Sequence, residues 1–253
     1  MDPTQLIILA FLGLFGGVLA GLVGVGGGIV FVPALIYVAG WDITDAVAAS
    51  LVIIIFSSIS GTLRNLRSEN SVDWRTTALL SSTVAPSALI GVAIGRVAPE
   101  VVVELVFATL LIALAYPTAK GRGDLDGTRR RLHPALVLVA GVGIGALSGL
   151  VGVGGGVLMV PLMVIGLGLR TKVAIATSLA VVLFVGIVGA AGYFATGFDR
   201  FAELLPLVVG CIVGAWLGVK LRDLLPDVYL RVGFAFFMVV TSLRLFVDAT
   251  NII

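Results

Sequence analysis

Long stretches almost free of charged side chains are the feature that most restricts how this chain can fold. Eight of them follow one another along the sequence, at 6–41, 46–63, 76–95, 101–119, 134–169, 173–198, 204–219 and 228–243. A helix that crosses a bilayer needs roughly 20 apolar residues, and in hydrocarbon every backbone polar group must be bonded within the protein. The chain is 12% charged, whereas a soluble domain is about a quarter charged. We therefore predict an all-α integral membrane protein.

Two of these stretches are too long for a single crossing. The stretches at 6–41 and 134–169 would each extend roughly 54 Å as one helix, and the hydrocarbon core is about 30 Å thick. Each is interrupted by a run of glycines and then by a proline. We expect the first and fifth stretches to be broken, which gives about ten helical pieces. The first five residues lack the basic region of a signal peptide, so we expect the first stretch to stay in the mature protein.

The same two stretches are copies of each other. The octapeptide Gly-Leu-Val-Gly-Val-Gly-Gly-Gly at 21–28 recurs unchanged at 149–156, an offset of 128 residues. Pro33 recurs as Pro161 at that offset, and Ser50 and Gly61 recur as Ser178 and Gly189. An identity of this length, with further matches in register, indicates an internal duplication. We predict a first repeat at 1–117, a basic cytoplasmic linker at 118–133 and a second repeat at 134–253.

The distribution of Lys and Arg indicates how the two halves are oriented. These residues collect on the cytoplasmic side of a membrane. If the halves are inverted, 13 of the 16 basic residues share one face, and the exceptions are Arg96, Arg200 and Arg244. Parallel halves would divide the 16 residues into 10 and 6. We therefore predict two inverted repeats of five pieces each, with both termini outside.

The glycine runs are the candidate binding site. Irregular backbone at membrane depth is tolerated where it is buried in protein or lines a cavity, and a new helix that begins there directs free N–H groups and its positive dipole end into that space. Hydroxyl groups on the next helix would add hydrogen bonds to an oxyanion. The predicted substrate-binding residues are Gly24, Gly26, Gly27, Gly28, Ser50, Ser57, Gly152, Gly154, Gly155, Gly156, Thr177 and Ser178. We place Arg64 at the cytoplasmic mouth, where it would attract anions.

Two structural explanations stand beside this interpretation. Small residues four apart let membrane helices approach closely, and Gly13 and Gly17 fit that pattern. The glycines of the two runs could also serve packing alone. Buried hydroxyls often bond to their own helix backbone, so each Ser or Thr of the candidate site has that alternative.

What the hydrophobic pieces lack also restricts function. No Asp, Glu, Lys, Arg or His lies near the centre of any of them, and we expect Glu104, Glu203 and Asp248 to be solvated near helix ends. Neutral donors suit an anion better than a metal cation, so we predict no metal, no cofactor and no catalytic residue. The expected partners are a small anion and the lipid bilayer, without nucleic acid, and a homodimer stays open. The single cysteine, Cys211, is expected to be a small packed residue.

The paired glycine–proline motifs at 21–33 and 149–161, Thr177-Ser178-Leu179 and Gly214-Ala215-Trp216-Leu217-Gly218 resemble the TauE/SafE family of sulfite exporter-like membrane proteins. The resemblance implies a secondary transporter, in the cell membrane, of sulfite, sulfonate, sulfoacetate or a related organic anion. It leaves export and uptake open, because the family is associated with both. An anion-selective channel with the same site is the alternative.

Overall fold

The computed structural model describes residues 3–23, 26–66, 72–120, 133–169, 171–195, 201–222 and 227–251. The described residues form ten α-helices and no strand, which confirms the predicted all-α fold and the number of pieces. The helices are α1 (Pro3–Val23), α2 (Gly28–Tyr37), α3 (Ile43–Asn65), α4 (Trp74–Val97), α5 (Glu100–Lys120), α6 (Pro134–Val151), α7 (Gly156–Pro161), α8 (Thr171–Phe194), α9 (Phe201–Arg222) and α10 (Asp227–Asn251). Gly24 and residues 121–132 of the predicted linker lie outside the described residues.

Three helices in the described part of the chain are long and apolar enough to cross a membrane. They are α3, α4 and Val173–Phe194 of α8. The outer surface is also apolar: Ile7, Phe11, Val139 and Phe236 are each at least 65% exposed. Exposed apolar surface of this extent is typical of a surface that contacts lipid rather than water.

Pairs of helices pack through glycines spaced four residues apart. A Cβ atom on Gly13 would collide with the backbone of Leu207, and one on Gly17 would collide with the backbone of Cys211, so α1 lies directly against α9. This confirms the packing role predicted for both glycines. Cys211 is fully buried in the same contact.

Helices α6 and α4 pack in the same way as α1 and α9. A Cβ atom on Gly149 of α6 would collide with the carbonyl group of Ala88 on α4, and Gly145 meets the carbonyl group of Val84 in the same way. The first helix of each predicted half therefore packs against the fourth helix of the other half.

Helices α3 and α8 form the centre of the molecule. Every residue from Ala46 to Ile54 is buried. Gly189 of α8 faces the side chain of Leu51, and Gly61 of α3 faces the side chain of Leu179, with 3.0 Å between each leucine Cδ1 and the position of a glycine Cβ. The earlier position on α3, Leu51, contacts the later position on α8, Gly189, and the reverse holds for Gly61 and Leu179. The two helices therefore run antiparallel.

The two halves differ where the shorter helices end. Helix α2 contains ten residues, with Pro33 inside it. Its counterpart α7 contains six and continues directly into a π-helical segment, Leu162–Gly166. A π-helical segment has hydrogen bonds between residues five apart and is found often at functional sites.

Candidate functional site

The first glycine turn joins α1 to α2. Gly26 has φ of 81° and Gly27 has φ of 93°, in the left-handed region that residues with a Cβ atom rarely adopt. The carbonyl oxygen of Gly27 accepts hydrogen bonds from Val30 N at 2.8 Å and Phe31 N at 3.0 Å. These are the first helical bonds of α2. The N–H groups of Gly28 and Ile29 come before them and have no acceptor within the helix, as at any helix N-terminus.

The second glycine turn joins α6 to α7 and has the same backbone form. Gly154 and Gly155 have φ of 74° and 71°. The carbonyl oxygen of Gly155 accepts from Leu158 N at 3.1 Å and Met159 N at 3.0 Å. Identical residues at an offset of 128 thus adopt matching conformations, with Gly155 in the position of Gly27.

The two turns lie against each other in the interior. A Cβ atom on Gly28 would collide with the carbonyl oxygen of Gly152. One on Gly26 would lie 2.8 Å from Val182 Cγ1, and one on Gly154 would lie 3.0 Å from the same atom. Ile54 Cγ2 is 3.3 Å from both positions. Two fully buried apolar side chains, one from α3 and one from α8, therefore pack over both turns.

Two predicted hydroxyls attach α3 to these turns. Ser50 Oγ donates to Gly152 O at 2.8 Å, and Ser57 Oγ lies 2.8 Å from Gly26 O and 3.0 Å from Ile54 O. A hydroxyl has a single proton to donate, so neither group donates to a ligand while these bonds persist. Ser50 and Ser57 thus position the glycine turns.

The remaining predicted hydroxyls lie on α8. Ser178 Oγ donates to Ile175 O at 2.9 Å, three residues earlier in its own helix. Thr177 Oγ1 accepts from the backbone N–H of Asp73 at 3.0 Å. Thr177 therefore contacts the segment before α4.

Asp73 caps the N-terminus of α4 beside Thr177. Its Oδ1 accepts from the backbone N–H groups of Arg75 and Thr76, and its Oδ2 accepts from Thr76 Oγ1 at 2.8 Å. Partial burial by itself raises the pKa of Asp73, but the hydrogen bonds from Thr76 and Arg75 and the charge of Arg75 outweigh it and lower the pKa below the ordinary 3.8. The ionised carboxylate is the form that caps the helix.

Two hydroxyl groups on α3 were missed by the sequence-based prediction. Ser58 is fully buried, Thr62 is 6% exposed, and neither side-chain oxygen has a hydrogen-bond partner among the described residues. Ser58 Oγ lies 3.7 Å from the position that a Cβ atom on Gly26 would take. Ser58, Thr62 and Asn65 are polar and lie four and three residues apart, and this helical spacing is the signal that could have identified the face.

Arg64, predicted at the cytoplasmic mouth, is partly buried at the end of α3. Its guanidinium carbon lies 5.6 Å from the centroid of the Trp216 ring, and Lys220 Nζ lies 5.9 Å from the same centroid. Both distances are within the range of cation–π contacts. The charge distribution places Arg64 and Lys220 on the same face, but it does not predict their convergence on one tryptophan ring.

One expectation about the ends of helices was wrong. Glu104 was expected in solvent, but its Oε2 is buried and has no hydrogen-bond partner in the part of the chain that the structure describes. Near it, the Arg244 guanidinium carbon lies 4.4 Å from the centroid of the Tyr37 ring. These side chains come from α2, α5 and α10 and lie away from the glycine turns.

Within the described residues, no three His, Cys, Asp or Glu side chains are grouped so that they could hold a metal ion.

An all-helical chain with an apolar outer surface and glycine turns buried in its interior has the features of a membrane transport protein. Comparison with known proteins gives the family. The family described as sulfite exporter TauE/SafE matches residues 9–245, and this chain belongs to that family. The protein is a membrane transporter of the TauE/SafE family.

Several relatives carry the same general name. A probable membrane transporter protein of Haemophilus influenzae is 28% identical, across 96% of this chain and 98% of its own length. The probable membrane transporter protein YunE of Bacillus subtilis is 30% identical, across 85% and 86% of the two chains. YdhB, a probable membrane transporter protein from Bacillus subtilis, is 24% identical, across 85% and 89%. No solved structure matches the chain.

Proposed function

We propose that this chain is a secondary transporter that carries small sulfur-containing oxyanions, such as sulfite, sulfonates or sulfoacetate, across the cell membrane. We propose that the chain crosses this membrane several times. The observation that carries the proposal is the contact between the two glycine turns. Each turn directs the chain into a new helix, and both lie in the interior against the central helices α3 and α8. We infer that the anion binds there, to N–H groups at the start of α2 and of its counterpart.

Two inverted repeats, each with a broken first helix, are part of this proposal. The antiparallel contact of α3 with α8 supports inversion, because these helices are equivalent in the duplicated sequence. The exchanged pairs, α1 with α9 and α6 with α4, support a pseudo-twofold relation between the halves. Broken helices at the interface of inverted repeats are a recurring design of secondary transporters.

The apolar residues Ile54 and Val182 are the proposed closure of the site. They are equivalent positions of the two halves and contact both turns. An anion that reaches the N–H groups has to displace one of these side chains. If the two side chains are displaced one at a time, the site opens to one side of the membrane at a time, which is alternating access. If both are displaced together, the protein is a channel. The names of the relatives favour the transporter.

Flux in proteoliposomes tests the proposal. Purified protein is reconstituted, and uptake of radiolabelled sulfite, thiosulfate and sulfoacetate is measured beside taurine, whose net charge is zero. We expect saturable uptake of at least one of the three anions, with accelerated exchange when the same anion is present inside. Protein-free vesicles are the control. Saturable uptake of none of them would contradict the substrate class, and non-saturable flux without exchange would support a channel.

A further inference from the structure

Several hydroxyl groups of the described helices donate to a carbonyl group three residues earlier, which is a usual way to satisfy a buried hydroxyl in a helix. They are those of Ser82, Thr83, Ser87 and Ser178. Four serine and threonine hydroxyls have buried oxygens and no partner among the described residues, those of Ser58, Thr62, Ser81 and Ser148. Of these, Ser58 and Thr62 share one helix, α3. A buried polar group without a partner costs about 1–3 kcal/mol, so its presence calls for an explanation.

These two hydroxyls are positioned between the first glycine turn and the basic end of α3. Ser58 Oγ faces Gly26, at the N-terminal end of the ten-residue helix α2. Thr62 lies one turn further along α3, about 6 Å away in helical rise. Arg64 follows near the end of the helix, beside Trp216 and Lys220. The unpartnered hydroxyls therefore follow one face of α3 from the turn toward the mouth.

The duplicated half has no such pair. The residues equivalent to Ser58 and Thr62 at the offset of 128 are Gly186 and Ala190. Gly186 is buried against Ile55, and Ala190 is 2% exposed. The repeated framework of the fold therefore does not need hydroxyls at these positions, and a structural requirement shared by both halves does not account for them.

We propose that Ser58 and Thr62 are specificity-determining residues that donate hydrogen bonds to the oxygens of the transported oxyanion. The inference rests on the proposed function and deepens it. An ion with several protonless oxygens can accept from Ser58 and from the N–H groups of α2 at once, and it can accept from Thr62 on its way to or from the mouth. The pair thus adds side-chain donors to the backbone N–H groups of α2 and would strengthen the binding of an ion that has several acceptor oxygens.

The test measures binding and folding of purified variants in parallel. Ser58→Ala and Thr62→Val remove a hydroxyl with little change in volume, and Thr62→Ser keeps it. The matched control is Ser242→Ala, because Ser242 is also fully buried but donates to Ala108 O at 2.8 Å, between α10 and α5. Dissociation constants for sodium sulfite, sulfoacetate and chloride are measured by thermophoresis, and melting temperatures by tryptophan fluorescence.

We expect Ser58→Ala to weaken the binding of sulfite and sulfoacetate at least tenfold with an unchanged or raised melting temperature, because it removes an unpartnered group. Thr62→Val is expected to act in the same direction, and Thr62→Ser to resemble the wild type. Ser242→Ala should lower the melting temperature and leave the dissociation constants unchanged. Wild-type affinity in both Ser58→Ala and Thr62→Val would overturn the inference while leaving the proposed function intact. Failure of the wild-type protein to bind or transport either anion would overturn both.

Discussion

Left-handed glycines are the residue-scale feature on which the site depends. Gly27 combines a φ of 93° with close neighbours, since a Cβ atom there would lie 2.7 Å from the Phe31 ring and 2.9 Å from Ala20 Cβ. Gly40, after α2, has a φ of 70° but nothing within 4 Å of the same position. An alanine at Gly40 would therefore introduce backbone strain alone, whereas an alanine at Gly27 would introduce backbone strain and steric collisions.

We predict that Gly40→Ala lowers stability by about 1–2 kcal/mol, the cost of placing a residue with a Cβ atom in the left-handed region. Gly27→Ala should lower stability further and also weaken sulfite binding by more than tenfold, because the added methyl group alters the start of α2. Melting temperature and dissociation constant are measured for both variants. A stable fraction of Gly27→Ala with full affinity would count against anion binding at this turn.

The Asp73 cap gives a second residue-scale prediction, which depends on pH. Since the pKa of Asp73 is lowered in the folded protein, the stability from its ionised form is present above the ordinary 3.8 and is lost as pH falls through the folded value. Asp73→Ala should therefore cost about 1 kcal/mol at pH 7, as for other N-cap residues, and progressively less below pH 4.

Asp42→Ala is the matched control for this prediction. Asp42 is the N-cap of α3, but its side chain makes no capping hydrogen bond. We expect a smaller loss at pH 7 in this variant, measured by thermal unfolding in the same detergent. Equal losses in Asp42→Ala and Asp73→Ala would mean that the hydrogen bonds of Asp73 contribute nothing to stability.

At this scale the sequence predicted equivalence but not orientation. The offset of 128 correctly paired Gly26 with Gly154 and Gly27 with Gly155, because identical glycine-rich segments adopt identical turns. It did not predict that the Ser57 hydroxyl would donate to Gly26 O while Ser58, the next residue, would have no partner. That difference depends on which carbonyl groups the neighbouring elements present to α3, and this information is not in the local sequence.

Helix-to-helix contact is the element-scale feature that most depends on single residues. In α6, Gly149 faces the carbonyl group of Ala88 so closely that an alanine cannot fit without movement of α4. Gly143, on the same helix, is exposed and has nothing within 4 Å of a Cβ position. The close approach of α4 and α6 therefore requires glycine at one position and not at the other.

We predict that Gly149→Ala destabilises the protein by about 1–3 kcal/mol, as other overpacked substitutions do. Gly143→Ala should be neutral or stabilising, since glycine is a weaker helix former than alanine. Thermal unfolding of the two variants provides the measurement. Equal stability of both would show that the two helices can separate at no cost.

The number of helices was predictable from the apolar stretches, but their partners were not. Apolar length and glycine–proline interruptions indicated ten pieces, because the thickness of a bilayer fixes how long a piece can be. The pairing of α1 with α9 is a contact between distant parts of the chain, which periodicity along one helix does not specify. The π-helical segment after α7 was also unexpected, since the equivalent stretch of the first half continues as ordinary α-helix.

At the scale of the whole molecule, the orientation of the halves makes a topological prediction. Inverted halves place the C-terminus outside and the segment between the halves in the cytoplasm. A reporter fused after Ile253 should therefore be active outside the cytoplasm, and one inserted within 121–128 should be active inside it. Both reporters on the same side of the membrane would rule out inverted repeats and support parallel ones.

The convergence of Arg64 and Lys220 on Trp216 predicts how anions approach. Two cations at the proposed mouth would raise the local concentration of an anion, and salt would screen that attraction over a Debye length of about 10 Å at 0.1 M. We expect Arg64→Gln to raise the KM for sulfite more at low salt than at high salt, and Lys220→Gln to act in the same way. Transport by both variants that equals the wild type at every ionic strength would remove these residues from the path of the anion.

The difference between α2 and the shorter α7 with its π-helical segment affects the resting state of the transporter. In a perfect duplicate, the state open to one side and the state open to the other would be related by a twofold rotation and have equal free energies, and the unloaded protein would populate them evenly. Because α2 and α7 differ, the two states no longer have equal free energies. A difference of about 1.4 kcal/mol is enough for a tenfold excess of one state. Under the inverted-repeat proposal, the unloaded protein therefore has a preferred facing direction, which cysteine accessibility from each side of the membrane would measure as an uneven ratio.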